Sequence, residues 1–66
     1  MKIFVNGEAQ TFEPPLSVAD LLNRLGLART KIAVEHNLEI VAKSAYDTHE
    51  LGDGDRVEIV HFIGGG

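Results

Sequence analysis

Only one segment of this chain combines the spacing and the end signals of an α-helix, and strand-like runs lie on both sides of it. Val18, Leu21, Leu22 and Leu25 recur at intervals of three, four and seven residues, which indicates one apolar stripe along a helix. A helix this short is only marginally stable alone. We therefore expect its stripe to pack on a sheet formed by the remaining runs.

The ends of this helix are well marked. Ser17 is a natural N-cap, and Asp20 stands at the third helical position, close to a capping box although Glu or Gln is usual there. Leu16 before the cap and Leu21 at the fourth helical position form a hydrophobic staple. Gly26 lies where a left-handed residue commonly ends a helix. The helix is therefore expected to occupy about two turns between Ser17 and Gly26.

The first residues of the chain predict a β-hairpin. A β-rich run from Met1 to Val5 is followed by Asn6-Gly7, and the return strand covers roughly Glu8 to Phe12. Asn-Gly favours a type I′ turn, because both central residues of that turn need a positive φ. Alternation then puts Ile3 on one face of the hairpin and Phe4 on the other.

The part of the chain after the helix predicts the rest of the sheet. The candidate strands are Lys31 to His36, a short strand beginning at Ile40-Val41, His49 to Leu51, and Arg56 to Phe62. The last run is apolar on both faces, which is typical of a central strand. We place it between the first and third strands, which gives a mixed sheet with one helix across it, and we expect the crossover through the helix to be right-handed.

These elements predict an α+β protein with a β-grasp (ubiquitin-like) fold. It would have a mixed sheet of four to five strands with one main helix packed on one face. Residues 1–63 would form the folded domain, and residues 64–66 a flexible glycine tail.

Composition excludes several classes of function. The 66 residues include no cysteine, which excludes disulfides, thiolate metal sites and iron–sulfur clusters. The net charge of −4 argues against binding to nucleic acid, since such domains usually carry a basic face. No apolar run approaches the length of a membrane span, and no signal peptide precedes the first strand. We therefore expect a cytoplasmic protein that binds neither nucleic acid nor membrane.

The chain ends in three consecutive glycines directly after a strand-like run. Glycine has no Cβ and adopts either sign of φ at little cost. A tail made of Gly64, Gly65 and Gly66 can therefore thread a narrow channel, and its last carbonyl carbon is open to attack. We interpret the carboxylate of Gly66 as the reactive group of a covalent carrier; a frayed end is the simpler alternative.

A family resemblance supports this interpretation. A short β-grasp with the turn Asp53-Gly54-Asp55, the strand end His61-Phe62-Ile63 and the tail Gly64-Gly65-Gly66 resembles the ThiS family of thiamine-biosynthesis sulfur carriers. The resemblance implies that an E1-like (ThiF-like) adenylyltransferase adenylates the Gly66 carboxylate. A persulfide donor then supplies the sulfur of a thiocarboxylate, which passes to a ThiG-like thiazole synthase. Gly65 would be the essential neighbour of Gly66.

The same resemblance implies that the chain is a protein substrate and not an enzyme. ATP and Mg²⁺ belong to the activating enzyme, and we expect no bound cofactor on this chain. The turn at Gly52-Asp53-Gly54 is acidic and lacks the lysine and serine of a phosphate-binding loop. His36, His49 and His61 are too widely spaced for a local metal motif, so no metal site is expected.

A docking patch is expected beside the tail. Phe4, Val60 and Phe62 should lie on the sheet face away from the helix, with Ile63 at the root of the tail. Exposed aromatic side chains often mark interfaces, although ordinary sheet residues also leave apolar surface exposed.

Several alternatives stay open at this point. A related carrier could deliver sulfur to molybdopterin synthesis or to tRNA thiolation with the same chemistry at Gly66. A ubiquitin-like modifier would instead join Gly66 to lysines of target proteins. A β-grasp binding module would have no covalent chemistry at all. The product formed at the chain end distinguishes these classes.

Overall fold

A computed structural model describes residues 1–62, which form a five-stranded mixed sheet with one α-helix on one face. The elements in chain order are β1 (Lys2–Val5), β2 (Glu8–Thr11), β3 (Leu16–Ser17), α1 (Val18–Leu25), β4 (Ile32–His36), β5 (Glu39–Val41), β6 (Glu50–Leu51) and β7 (Arg56–His61). The predicted α+β fold is confirmed. Ile63 and the predicted tail lie outside the described residues, so the boundary at residue 63 stays a prediction.

The strand order of the main sheet is β2-β1-β7-β4-β5. The last strand, β7, is therefore central as predicted, parallel to β1 and antiparallel to β4. Only one face of β7 is buried, however, because Val57 and Ile59 are in the core while Val60 is half exposed. Its second apolar face thus remains in contact with solvent.

The first hairpin has the predicted turn. Asn6 and Gly7 both have positive φ, 49° and 84°, as a type I′ turn requires. The register pairs Val5 with Glu8 and Lys2 with Thr11. The return strand ends at Thr11, one residue earlier than expected, although the Phe12 N–H still donates to the Met1 carbonyl at 2.8 Å.

Both ends of α1 are capped as the sequence predicts. The Asp20 N–H donates to Ser17 Oγ at 3.1 Å, and the Ser17 N–H donates to the Asp20 carboxylate at 3.0 Å. At the other end Gly26 is left-handed with φ 72°, and the Leu27 N–H donates to the Leu22 carbonyl at 2.9 Å. The capping box therefore forms with aspartate in place of glutamate.

The core lies between α1 and the inner face of the sheet. Val18, Leu21 and Leu22 of the helix are buried in one cluster with inward-facing strand residues such as Ile3 and Val34. Phe12 and Tyr46 also belong to the core, although the sequence analysis placed neither of them there. Tyr46 stands outside the strands, where alternation gives no signal, and Phe12 directly follows the end of β2.

A second, two-stranded sheet was not predicted. Leu16 and Ser17 pair with Leu51 and Glu50 in antiparallel register, and the Val18 N–H donates to the His49 carbonyl at 2.9 Å. Leu16 is thus both the residue before the helix cap and a strand residue. This pairing attaches the start of α1 to the segment before β7.

The strand predicted from Lys31 to His36 corresponds to β4. It begins one residue later than predicted, at Ile32, because Lys31 is the last residue of a short 3₁₀ turn. The turn after β4 has the geometry of the first hairpin without its glycine. Asn37 and Leu38 have φ of 50° and 72°. A leucine in the left-handed region is strained by about 1–2 kcal/mol.

A network of side-chain hydrogen bonds around Asp55 lies at the end of the sheet where β7 begins. His36 Nε2 lies 2.7 Å from the Asp55 carboxylate, and His36 Nδ1 lies 2.7 Å from His49 Nε2. The Gly52 N–H also donates to Asp55 at 2.7 Å, as does the Asn37 side chain at 3.3 Å. Burial raises the pKa of Asp55, but these hydrogen bonds outweigh it and leave the pKa below its ordinary value.

We predict that replacing the strained leucine stabilises the fold. Leu38→Gly should raise the free energy of unfolding by about 0.5 kcal/mol, because relief of strain exceeds the added freedom of the unfolded chain. Gly7→Leu is the matched control, since it introduces the same strain where an added Cβ meets nothing within 4 Å. It should destabilise by about 1–2 kcal/mol in urea unfolding. A destabilised Leu38→Gly protein would contradict this account of the turn.

We also predict that Asp55 makes stability depend on acid pH. A carboxyl whose pKa is lower in the folded state than its ordinary 3.8 stabilises the fold above that value. That contribution is lost as the pH falls through the folded pKa. Asp55→Asn should therefore cost about 1–3 kcal/mol at pH 7 and flatten the loss of stability below about pH 4.

The control for this measurement is Glu50→Gln, which makes the same charge change on an exposed residue of β6. Urea unfolding of both variants between pH 7 and pH 2 should separate them, with Glu50→Gln close to the unaltered protein. Equal pH profiles for Asp55→Asn and the unaltered protein would refute the role given to Asp55.

Candidate functional site

The site centres on the end of β7, which leads directly into the predicted reactive tail. The Phe62 N–H donates to the Lys31 carbonyl at 2.9 Å, one residue beyond the last strand residue, His61. Because β7 is the central strand, the chain is held by the sheet as far as Phe62, the last described residue. Gly64, Gly65 and Gly66, together with Ile63, lie outside the described residues.

An asparagine side chain extends the pairing of β7 beyond the end of β1. The Asn6 N–H donates to the Val57 carbonyl at 2.9 Å. Asn6 Oδ1 then accepts from the Ile59 N–H at 2.7 Å, and Asn6 Nδ2 donates to the Ile59 carbonyl at 3.3 Å. The side-chain amide thus takes the place of one further strand residue.

Asn37 does the same on the other side of β7. Its N–H donates to the Arg56 carbonyl at 2.8 Å, and its Oδ1 accepts from the Arg56 N–H at 2.9 Å. Asn6 and Asn37 each begin a hairpin turn with a positive φ, and only the turn at Asn6 was considered from the sequence. Asparagine at the first turn position was the signal available, but its reach to β7 depends on tertiary structure.

The expected docking patch is divided between two places. Phe4 and Val60 lie on the same face of neighbouring strands, but the register aligns Phe4 with Arg56, four residues before Val60. At about 3.3 Å per residue, that offset is about 13 Å along the sheet. Phe62 is 55% exposed and follows β7, where Lys43 Nζ lies 5.3 Å from the centre of its ring.

Two further apolar side chains are exposed that the sequence analysis did not single out. Ile40 of β5 is 81% exposed and Leu38 of the preceding turn is 77% exposed, compared with 53% for Val60. Ile40 pairs with Glu35, whose neighbour Val34 is buried, so Ile40 faces away from α1. The apolar surface of the sheet therefore extends across β4 to β5.

The wide spacing of the three histidines in the sequence suggested that they lie apart, but two of them are in contact in the fold. Their fold brings His36 and His49 into a mutual hydrogen bond at 2.7 Å, while His61 is exposed near the opposite end of β7. Within residues 1–62, no group of three or more histidine and carboxylate side chains is arranged to hold a metal ion. In the same part of the chain, no helix is long and apolar enough to cross a membrane.

The chain is similar to known proteins along its whole length. The ThiS family model matches residues 3–66. The sulfur carrier protein ThiS of Bacillus subtilis is 46% identical over 50 residues, which are 76% of each chain. The crystal structure of thiamine biosynthesis protein ThiS from Geobacter metallireducens superposes with a TM-score of 0.85 at 38% identity, covering 100% of both chains.

One longer relative is also similar. Thiazole synthase of Paramagnetospirillum magneticum is 52% identical over 66 residues, which are all of this chain but only 20% of that protein. The chain thus spans about a fifth of the length of this relative. Taken with the family match and the shared fold, these similarities establish that the chain belongs to the ThiS family.

Proposed function

We propose that this protein is a sulfur carrier of thiamine biosynthesis whose Gly66 carboxylate becomes a thiocarboxylate. The observation that carries the proposal is the match of the ThiS family model to residues 3–66, which include Gly64-Gly65-Gly66. The central position of β7 supports it, because the strand that leads into the tail is hydrogen-bonded on both sides.

The proposed chemistry begins with the terminal carboxylate. An α-carboxyl group is ionised at neutral pH, so an oxygen of Gly66 attacks the α-phosphorus of ATP and pyrophosphate leaves. Sulfide then attacks the carbonyl carbon of the acyl adenylate, AMP leaves, and a thiocarboxylate remains. With a persulfide donor the first product is an acyl disulfide, which a thiol reduces to the same thiocarboxylate.

The carrier supplies a reactive end, and the catalytic groups belong to its partner. An E1-like adenylyltransferase would bind ATP and Mg²⁺ and stabilise the charge that develops on the phosphates. This chain would bind no cofactor of its own. The need for ATP is consistent with the expected cytoplasmic location.

A thiazole synthase is the acceptor we propose for the sulfur. The relative that carries this name contains a segment 52% identical to the whole of this chain. Glycine has no Cβ and adopts either sign of φ at little cost, so the sequence Gly64-Gly65-Gly66 suits entry into the narrow active sites of both the activating enzyme and the acceptor. A carrier for another pathway would use Gly66 identically and differ only in the acceptor.

The folded domain must itself bind the partner, because ordering the tail costs free energy. Ordering residues 63–66 in a channel costs on the order of 4–8 kcal/mol of backbone entropy. Those four residues reach at most about 13–14 Å when fully extended. A surface of the sheet must therefore bind the partner near its active site, and Phe4, Val60, Phe62 and Ile63 stay our candidates for contacts there.

We predict that the terminal residue gains sulfur when the activating enzyme is supplied. The protein is incubated with ATP, Mg²⁺, a purified E1-like adenylyltransferase and sulfide, and its intact mass is then measured. Exchange of one oxygen for one sulfur, located to Gly66 by fragmentation, is the expected result. A variant lacking Gly66 and a chain amidated at Gly66 should both be unreactive.

Other outcomes identify the alternatives. Attachment of the chain to lysines of other proteins would indicate a modifier. An unaltered mass in the presence of a competent enzyme would favour a binding module and refute the carrier. Retention of full reactivity after amidation would also refute it, because the free carboxylate would then be unnecessary.

A further inference from the structure

Two glutamates of the same charge stand directly opposite each other in the sheet. The antiparallel register of β4 and β7 pairs Glu35 with Glu58. Both face away from α1, because the alternating neighbours Val34 and Ile59 are in the core. Like charges in directly opposed positions destabilise a sheet. The pair is therefore unfavourable for folding and calls for another explanation.

No cationic side chain within the described residues forms an ion pair with either glutamate. The ion pairs among residues 1–62 join Arg29 to Asp47 and His36 to Asp55, and neither includes Glu35 or Glu58. Arg56 precedes Glu58 by two residues on the same face but forms no ion pair with it. Glu58 is exposed and Glu35 is half-buried, so both carboxylates can be reached from solvent.

Exposed apolar side chains flank the two glutamates. Ile40 of β5 is the cross-strand partner of Glu35. Val60 follows Glu58 by two residues on the same face of β7. Ile40 is among the most exposed apolar residues of the described chain. Leu38, at the tip of the same hairpin, is exposed and also holds a backbone conformation that disfavours leucine. Charge and apolar surface are thus combined in one patch.

We propose that Glu35 and Glu58 together bind an arginine or lysine side chain of the activating enzyme, with Ile40 and Val60 packing on apolar surface around it. The proposal rests on the carrier function proposed above. A cation between the two carboxylates would remove their repulsion and form charge-assisted hydrogen bonds. The net charge of −4 would steer the carrier toward a basic surface.

The position of the patch suits that partner. Glu58 belongs to the strand that leads into the tail and precedes Gly66 by eight residues, a reach of about 26 Å when extended. An activating enzyme that binds this patch would therefore keep the start of the tail close to the bound ATP. The same pair would then contribute binding energy while costing stability in the free carrier.

The test compares two double variants as substrates of the adenylation reaction. The rate is measured as the ATP-dependent release of pyrophosphate. Glu35→Gln/Glu58→Gln removes both charges with little change of shape. Glu13→Gln/Glu50→Gln removes two exposed charges elsewhere and is the matched control. The first variant should raise KM for the carrier about tenfold with kcat unchanged. It should also weaken the dependence of KM on salt, and the control, which makes the same change of net charge, should alter both quantities much less.

Unfolding in urea provides the second measurement. Glu35→Gln/Glu58→Gln should unfold at the same or a higher urea concentration than the unaltered protein, because the repulsion is gone. Equal KM values for the two double variants, with the unaltered carrier fully active, would overturn the glutamate pair alone. No pyrophosphate release from the unaltered carrier would instead overturn the proposed function. A large loss of stability would refute the repulsion itself.

Discussion

The central position of β7 is the constraint on which the rest of the structure depends. β1 and β4 bond to its two edges, and the side chains of Asn6 and Asn37 extend this pairing beyond each hairpin. Val57 and Ile59 place its inner face in the core under α1. The strand that leads to the chain end is therefore the one most firmly attached to the body. The proposed reactive terminus would therefore extend from a strand that is fixed in the sheet.

Short-range signals in the sequence predicted much of the fold. Asn6-Gly7 predicted a type I′ hairpin because few residue pairs tolerate positive φ twice, and the turn has that geometry. Ser17, Asp20 and Gly26 predicted both ends of α1 because capping depends on residues within one turn of each other. The central place of β7 was inferred from apolar residues on both of its faces, although only one of those faces is buried. These inferences needed no knowledge of distant contacts.

The remaining features depend on contacts between distant parts of the chain. Asp55, His36 and His49 are brought together only by the sheet and the loop before β6. Leu38 takes a left-handed turn position that leucine propensity argues against. The face of Phe4 and Val60 was predictable from alternation, but their offset required the register between β1 and β7. Likewise, the glutamate pair is visible only once β4 and β7 are aligned.

The fate of the terminal oxygen atoms distinguishes the proposed adenylation from other routes to a sulfur-bearing chain. The carrier is prepared with heavy oxygen in the Gly66 carboxylate, then turned over with ATP, the activating enzyme and sulfide. If the carboxylate attacks the α-phosphorus and AMP leaves when sulfide adds, one heavy oxygen must be found in the phosphate of AMP. AMP free of the label, with both heavy oxygens still on a chain that has gained sulfur, would contradict the account.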